Sequence, residues 1–449
     1  MAAAKMASSR ASRPFDVIVY GASGFTGRLV AEHLARDYQG SVKWAMAGRS
    51  ETKLKEVRDL LAKINPKCAE TPILVADAFD RDAIGSMLKQ GKVVVSTAGP
   101  YARYGNMLVE QAVEQGTHYC DITGEVLWVK RSIKQHNDKA VANGTKILHC
   151  CGFDSVPSDL GTLLMVDYMK KLGKKTDKVF NLMGKASGGF SGGTVESGRN
   201  MMETEEMSEI SASGSNAYYL AETVPGVRKG TDKPSPKAPH KVMDVNGGTW
   251  TGPFVMEAVN GRVVHWSNAL AGESYGSDFK YLEAVETGKG WSGFAGASAV
   301  AAGLGVFALM MAPGIRQLSK RVLPAPGEGP SEEARLKGFW NMHLTALSEE
   351  APGVKPTVVK GHIGDPKRDP GYWGTSRMVL EAALCLALQE KQLKEAGCRE
   401  GGVMSASAAL GMTYVERLRQ AGLTWKITEV DGKPVEETEA ATKAAKVNA

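Results

Sequence analysis

None of the six cysteines forms a Cys-x-x-Cys pair, and no histidine cluster accompanies them. That removes the ligand spacing of a structural zinc site, and no metal is expected. So few thiols in 449 residues suit a reducing compartment. Charge of one sign is also scarce: 55 basic residues against 49 acidic ones leave a formal net charge of +6, spread along the chain. This argues against a nucleic-acid partner and is compatible with an anionic ligand or a weak membrane-surface bias. No secretory apolar core is present, and residues 1–13 lack any acid. Their Ala, Ser and basic composition is that of a transit peptide, but the first strand begins at about Phe15. Residues 1–13 are therefore read as a short disordered tail. The longest absence is of charge altogether, from Trp291 to Pro313.

What is there is an ordinary globular balance, 43% hydrophobic and 23% charged residues, and enough length for two or three domains. Short apolar runs at Phe15–Tyr20, Val42–Ala47, Pro72–Ala76, Lys92–Thr97, Thr117–Asp121 and Lys146–Cys151 alternate with amphipathic helical stretches. Six alternations in 140 residues predict a doubly wound parallel sheet over residues 14–156. Past Pro157 the rhythm changes. A helix at Asp159–Leu172, a strand near Val179–Met183 and strand-like alternation at Gly261–Trp266 and Thr357–His362 predict a second, mixed α/β unit over 157–430. Thr194–Ser211 reads as helical, Leu323–Ser331 as a Pro-rich linker, and 431–449 as a disordered tail. The fold class is thus α/β: an N-terminal Rossmann sheet plus a mixed second domain with an apolar helix or hairpin.

Directly after the first strand and before the first helix stands Gly21-Ala22-Ser23-Gly24-Phe25-Thr26-Gly27. Gly21 permits the tight turn and Gly24 the approach of a pyrophosphate. Gly27 lets the helix pack on the sheet, with its N-terminus facing the phosphates. The end of the second strand selects the cofactor. An NAD site carries an acid there to bond the ribose 2′-hydroxyl, whereas this chain has Gly48-Arg49-Ser50 and Lys53 one turn on. Arg49 can fork onto a 2′-phosphate, so NADP(H) is favoured over NAD(H). Asp77, ending the third strand, is expected near the adenine. Gly99-Pro100, ending the fourth, is expected under the phosphates or nicotinamide.

These residues, with Ala98-Gly99-Pro100-Tyr101, Tyr104-Gly105, the block from Tyr119 to Glu125, the block from Gly152 to Gly161, Gly371-Tyr372 and Gly401-Gly402-Val403, resemble the saccharopine dehydrogenase-like oxidoreductases and the related trans-acting enoyl reductases. The likeness runs from Phe15 to about Thr428, although Ser405-Ala406 stand where the family has Thr-Pro. It implies NAD(P) binding, a poorly defined substrate and links to lipid or glycolipid metabolism, with animal members at lipid droplets and membranes.

Hydride transfer to a carbonyl or conjugated alkene needs a proton donor at the carboxyl ends of the strands. None of the twelve tyrosines has a lysine four residues on, so a Tyr-x-x-x-Lys pair is ruled out. Tyr101, Tyr104, Asp121 and Asp154 are the catalytic candidates, with Glu125 able to orient or supply a proton. Each has a bland alternative: Asp121 and Asp154 also suit turns or helix caps. His118, His149 and Cys150-Cys151 read as core. Gly192-Gly193-Thr194 is either an anion-binding helix start or a plain turn.

The uncharged stretch 291–313 has three readings: a buried helix, a peripheral lipid-facing helix or hairpin, or a true span. The peripheral reading is preferred, and a homodimer contact is a further use of such a patch. The expectation is an intracellular NADP(H)-dependent oxidoreductase of a small-molecule or lipid-like substrate, peripheral to a membrane or lipid droplet. The alternatives are a cytosolic enzyme and a nucleotide-binding protein of lipid surfaces without catalysis.

Overall fold

The structure is a computed structural model, and it describes residues 2–38, 40–187, 200–228, 230–276, 278–311 and 331–435. Six strands follow the alternation read from the sequence: β1 (Phe15–Tyr20), β2 (Trp44–Gly48), β3 (Ile73–Val75), β4 (Gly91–Ser96), β5 (His118–Asp121) and β6 (Lys146–Leu148). Further along lie β7 (Thr176–Ser187), β8 (His240–Val242), β9 (Thr249–Pro253), β10 (Lys280–Gly288), β11 (Phe339–Ser348) and β12 (Val358–Asp365). The last three are β13 (Gly402–Met404), β14 (Thr424–Val430) and β15 (Lys433–Pro434).

The first sheet runs β13-β6-β5-β4-β1-β2-β3, and every pairing in it is parallel. Central strands buried on both faces read as continuous apolar runs, which is what Val17 to Tyr20 and Val93 to Val95 present. The strand order reverses between β1 and β4, so a crevice opens outside their carboxyl ends. The second sheet runs β15-β14-β12-β11-β7-β10-β9-β8 and is antiparallel except between β7 and β10. Helices Val156–Lys171 and Glu257–Leu270 pack on the second sheet, helix Ala406–Gln420 links them to β6, and one hydrophobic cluster continues from Val17 to Ile427.

Several expectations are corrected. Gly261–Trp266 is not a strand but part of helix Glu257–Leu270. Its residues are buried from Val259 to Leu270, so no polar face marks a helical period, and Val263-Val264 imitate a strand. Residues 1–13 are not a free tail. Ala2–Ala11 is helical, Arg10 donates to Gly116 O (2.9 Å), and Arg13 donates to Gly91 O (2.8 Å) and Thr117 Oγ1 (2.6 Å). Two pieces of 157–430 also return to the first sheet. Strand β13 extends its edge, and helix Thr375–Leu388 packs against β1, β4 and β5. Lys433 and Pro434 pair with β14, whereas 436–449, 312–330 and the anion-site residues Gly192, Gly193 and Thr194 lie outside the described residues.

Candidate cofactor and active site

Gly21 leaves β1 at a φ of +84°, a conformation that favours glycine. Gly24 N donates to Gly21 O (2.9 Å), closing the turn, and helix Phe25–Asp37 starts with no side-chain cap. Its first amides are therefore not taken by a capping side chain, and Ser23 and Gly24 are exposed at the loop tip. A Cβ on Gly27 would collide with Gly21 O and Thr97 Oγ1. The glycine spacing thus builds a backbone cradle at a positive helix end, which fits a pyrophosphate. Phe25 and Thr26 are half-buried in this first turn. The Phe25 ring meets Tyr372 edge-on at 5.1 Å, and the Arg335 guanidinium lies 5.2 Å from its centre. The C-terminal half of the chain therefore closes on the phosphate loop.

Arg49 at the end of β2 is exposed and makes no ion pair among the described residues, so its guanidinium is available to a 2′-phosphate. Ser50 caps helix Glu51–Ile64, its hydroxyl accepting from Lys53 N (3.4 Å), while the Lys53 side chain is exposed. Asp77 is exposed beyond β3, with Oδ1 accepting from Phe79 N (3.0 Å). At the end of β4, Thr97 Oγ1 donates to Tyr20 O (3.1 Å), and the Gly99–Pro100 peptide is cis.

The structure separates the four catalytic candidates. Tyr101 is buried and its hydroxyl donates to Ser96 O (3.1 Å), turned into the sheet. Burial and the nearby Asp121 push that hydroxyl well above its ordinary range, so it is a poor proton donor to the cleft. Tyr104 is half-buried and rests against Phe79, beyond β3. Asp121 is fully buried: Oδ2 meets His149 Nδ1 at 2.7 Å, and Oδ1 accepts from Thr123 N and Cys150 N, both at 3.1 Å. His149 Nε2 reaches Ser132 Oγ at 2.9 Å, completing an internal chain that ties β5, β6 and helix Val126–Asn143 together. Asp121 is thus a strand-end clasp with no carboxylate edge facing the crevice. Glu125 is a clasp as well, accepting from Tyr101 N (2.9 Å) and Ala102 N (2.8 Å) and so fixing the turn after Pro100.

Asp154 differs. It lies just beyond β6 and is partly exposed, and burial of its carboxyl pushes it up to about 6. Its neighbours enter the second unit. Ser155 Oγ donates to Asn260 Oδ1 (2.9 Å), and Asn260 Nδ2 (3.1 Å) and Ser158 Oγ (2.7 Å) both donate to Glu283 Oε1. Glu283 on β10 is wholly buried, and that burial raises it to about 8. Asp159, also raised to about 6 by burial, accepts from Ser407 N (2.9 Å) and Ser407 Oγ (2.7 Å). Sequence reasoning missed Glu283 and Asn260. The signal for Glu283 was a carboxylate two residues from Tyr281, on the inward phase of a strand.

The family model for the saccharopine dehydrogenase NADP binding domain matches residues 17–148. The trans-acting enoyl reductase of Mycobacterium leprae is 33% identical over 423 residues, covering 92% of this chain and 97% of that protein. The trans-acting enoyl reductase of Mycobacterium tuberculosis is 32% identical over 436 residues, covering 94% and 100%. Among solved structures, saccharopine dehydrogenase (L-Glu forming) from Saccharomyces cerevisiae shares the fold with a TM-score of 0.54 at 12% identity, over 92% of this chain and 99% of that one.

Proposed function

Because the chain belongs to the saccharopine dehydrogenase-like oxidoreductase family and is an NADP-dependent oxidoreductase, we propose that it reduces the conjugated double bond of an apolar, lipid-like enoyl substrate. The reading is supported by relatives over 30% identical that carry the enoyl reductase name across nearly their whole length. NADPH, when bound, would supply the hydride that such a reduction adds at the β carbon. The chain's part is to hold the dinucleotide through the Gly21–Gly27 cradle and Arg49, and to deliver a proton to the α carbon. Asp154 carries that second task, because it alone among the four catalytic candidates is an acid on a residue that is not wholly buried and has a raised affinity for protons. Tyr101, Asp121 and Glu125 act as positioning residues that hold the strand ends.

The same reading sets the protein on a lipid surface. Its support is helix Gly290–Met311, 22 residues without a charged side chain, in which Trp291 is 86% exposed and Leu309 62%.

The test is NADPH oxidation with a long-chain trans-2-enoyl thioester across pH. The wild-type rate is expected to fall as pH rises through about 6, where Asp154 gives up its proton. Asp154→Asn should lose roughly 10²- to 10⁴-fold and show no such limb. An unchanged rate in the variant removes Asp154 from the mechanism. Tight NADPH binding without turnover on any enoyl chain favours the non-catalytic lipid-surface protein instead.

A further inference from the structure

One apolar ring, Phe79, stands exposed at the edge of the crevice. Phe79 is 62% exposed, and the backbone that carries it is tied by local hydrogen bonds. Its own amide donates to Asp77 Oδ1 (3.0 Å), and Asp80 N donates to Asp77 O (3.1 Å). Asp80 in turn caps the next helix through Ala83 N (3.0 Å), and Ala78 beside it is buried. A large, mostly exposed hydrophobic side chain thus stands on an ordered backbone between two aspartate-capped turns. Its neighbour is Tyr104, whose ring centre lies 5.7 Å away with the planes inclined at 57°. The Arg103 guanidinium sits 5.2 Å from the Tyr104 ring centre. Phe79 follows β3 and Tyr104 follows β4, and these strands are separated in the sheet by β2 and β1. The pair therefore joins the two loops that flank the glycine cradle and Arg49.

We infer that Phe79 and Tyr104 form an aromatic clip for the adenine ring of the dinucleotide, an inference that rests on the NADP(H) assignment. Charge placement supports this end of the crevice. The Tyr20 hydroxyl, at the carboxyl end of β1, feels both Asp77 and Arg49, so the two charges lie around one spot. An adenosine 2′-phosphate held by Arg49 sets its base toward the β3 side, where Phe79 offers an apolar face. Asp77 keeps Oδ2 for the exocyclic amino group. An adenine packs on such a face through its π surface, without needing further donors. Tyr104, weighed above as a proton donor, is assigned to base binding.

Titration calorimetry on the full chain separates the ends of the cofactor. The ligands are NADPH, 2′,5′-ADP, which lacks nicotinamide, and reduced nicotinamide mononucleotide, which lacks adenine. Phe79→Ala is expected to weaken NADPH and 2′,5′-ADP by roughly tenfold and to leave the mononucleotide unchanged. Phe79→Trp should retain wild-type affinity for all three. Unaltered NADPH affinity in Phe79→Ala, or equal weakening of all three ligands, overturns the clip while the NADP(H) assignment stands. A wild type that binds neither NADPH nor 2′,5′-ADP overturns both.

Discussion

Glu283 carries its carboxyl into the space between the second sheet and the two helices packed on it. Burial raises it from its ordinary 4.5 to about 8, against hydrogen bonds from Ser158 and Asn260 that act the other way. Its second oxygen, Oε2, makes no hydrogen bond among the described residues. Asn181, its register partner on β7, has an equally unpaired Oδ1. A donor at the Oε2 position, whether a carboxylic proton or an amide, suits that pairing. Between pH 4.5 and 8 the unfolded chain releases a proton that the folded chain keeps. The folded state is thus favoured by this group below about 4.5 and loses that advantage progressively up to about 8. Glu283→Gln removes the titration. Its melting temperature should exceed that of the wild type by an amount that grows from pH 4.5 to 8, measured by thermal unfolding at several pH values. A difference that does not change with pH would locate the titration elsewhere.

Helix Thr375–Leu388 is the element that binds the C-terminal half to the first sheet, and it does so through charge. Glu381, 1% exposed on its side chain, pairs with Arg377 Nε at 2.9 Å and Arg417 Nε at 2.6 Å. Tyr38 donates to the same carboxylate, and Arg377 reaches Asp37 at the end of helix Phe25–Asp37. Truncating Glu381 leaves the largely buried Arg417 guanidinium without its carboxylate and Arg377 with Asp37 alone, which costs about 3–5 kcal/mol. Glu381→Ala should lower the urea midpoint by a matching amount at an unchanged slope; a loss under about 1 kcal/mol would mean that water replaces the carboxylate. No sequence pattern announced this tie, because Asp37 lies hundreds of residues from Glu381, Arg417 sits on yet another helix, and each is unremarkable on its own helix. The glycine cradle and the six alternating strands were legible for the opposite reason: each rests on contiguous residues with a local period. Helix Val126–Asn143 and helix Asn106–Gln115 end at Gly144 and Gly116 in left-handed turns, a stop that sequence carries openly. Strand β13 was hidden because three apolar residues acquire an identity only from the edge of β6. Among site residues, the ones set by backbone geometry were readable. Whether Tyr101 or Asp121 faces the crevice or the interior was decided by partners beyond other strands, Ile122 N after β5 for the Tyr101 hydroxyl and His149 after β6 for Asp121.

At the scale of the molecule, the two sheets meet around the crevice, and helix Gly290–Met311 stands apart from that union. Its first half seats on β9. A Cβ on Gly252 would meet Val300 at 2.7 Å, Ala297 is fully buried, and Trp250 touches Phe294 at 4.9 Å between ring centres. Its second half is less covered among the described residues: a Cβ on Gly303 or Gly305 would meet nothing within 4 Å, and Val306 and Leu309 are exposed. Only 11% of its most apolar window is buried, so the plain core-helix reading of 291–311 is set aside for these residues, and 312–313 lie outside the described ones. Lysine and arginine outnumber acids over the whole chain by six, which favours an anionic surface beneath such a helix. A helix lying in the headgroup region gains about 25 cal/mol for each Å² of apolar surface it removes from water, so placing two carboxylates on its projecting half should abolish the gain. The double variant Val306→Asp, Leu309→Asp is therefore expected to lose co-sedimentation with phosphatidylcholine–phosphatidylserine vesicles while binding NADPH as the wild type does, since both positions lie on a helix packed against the second sheet, whereas the Gly21–Gly27 cradle belongs to the first. Equal recovery of variant and wild type with the vesicles would remove the helix from lipid contact. Vesicle binding by neither, with a wild-type dimer that becomes a monomer in the variant by analytical ultracentrifugation, would assign the same face to a second copy of the chain.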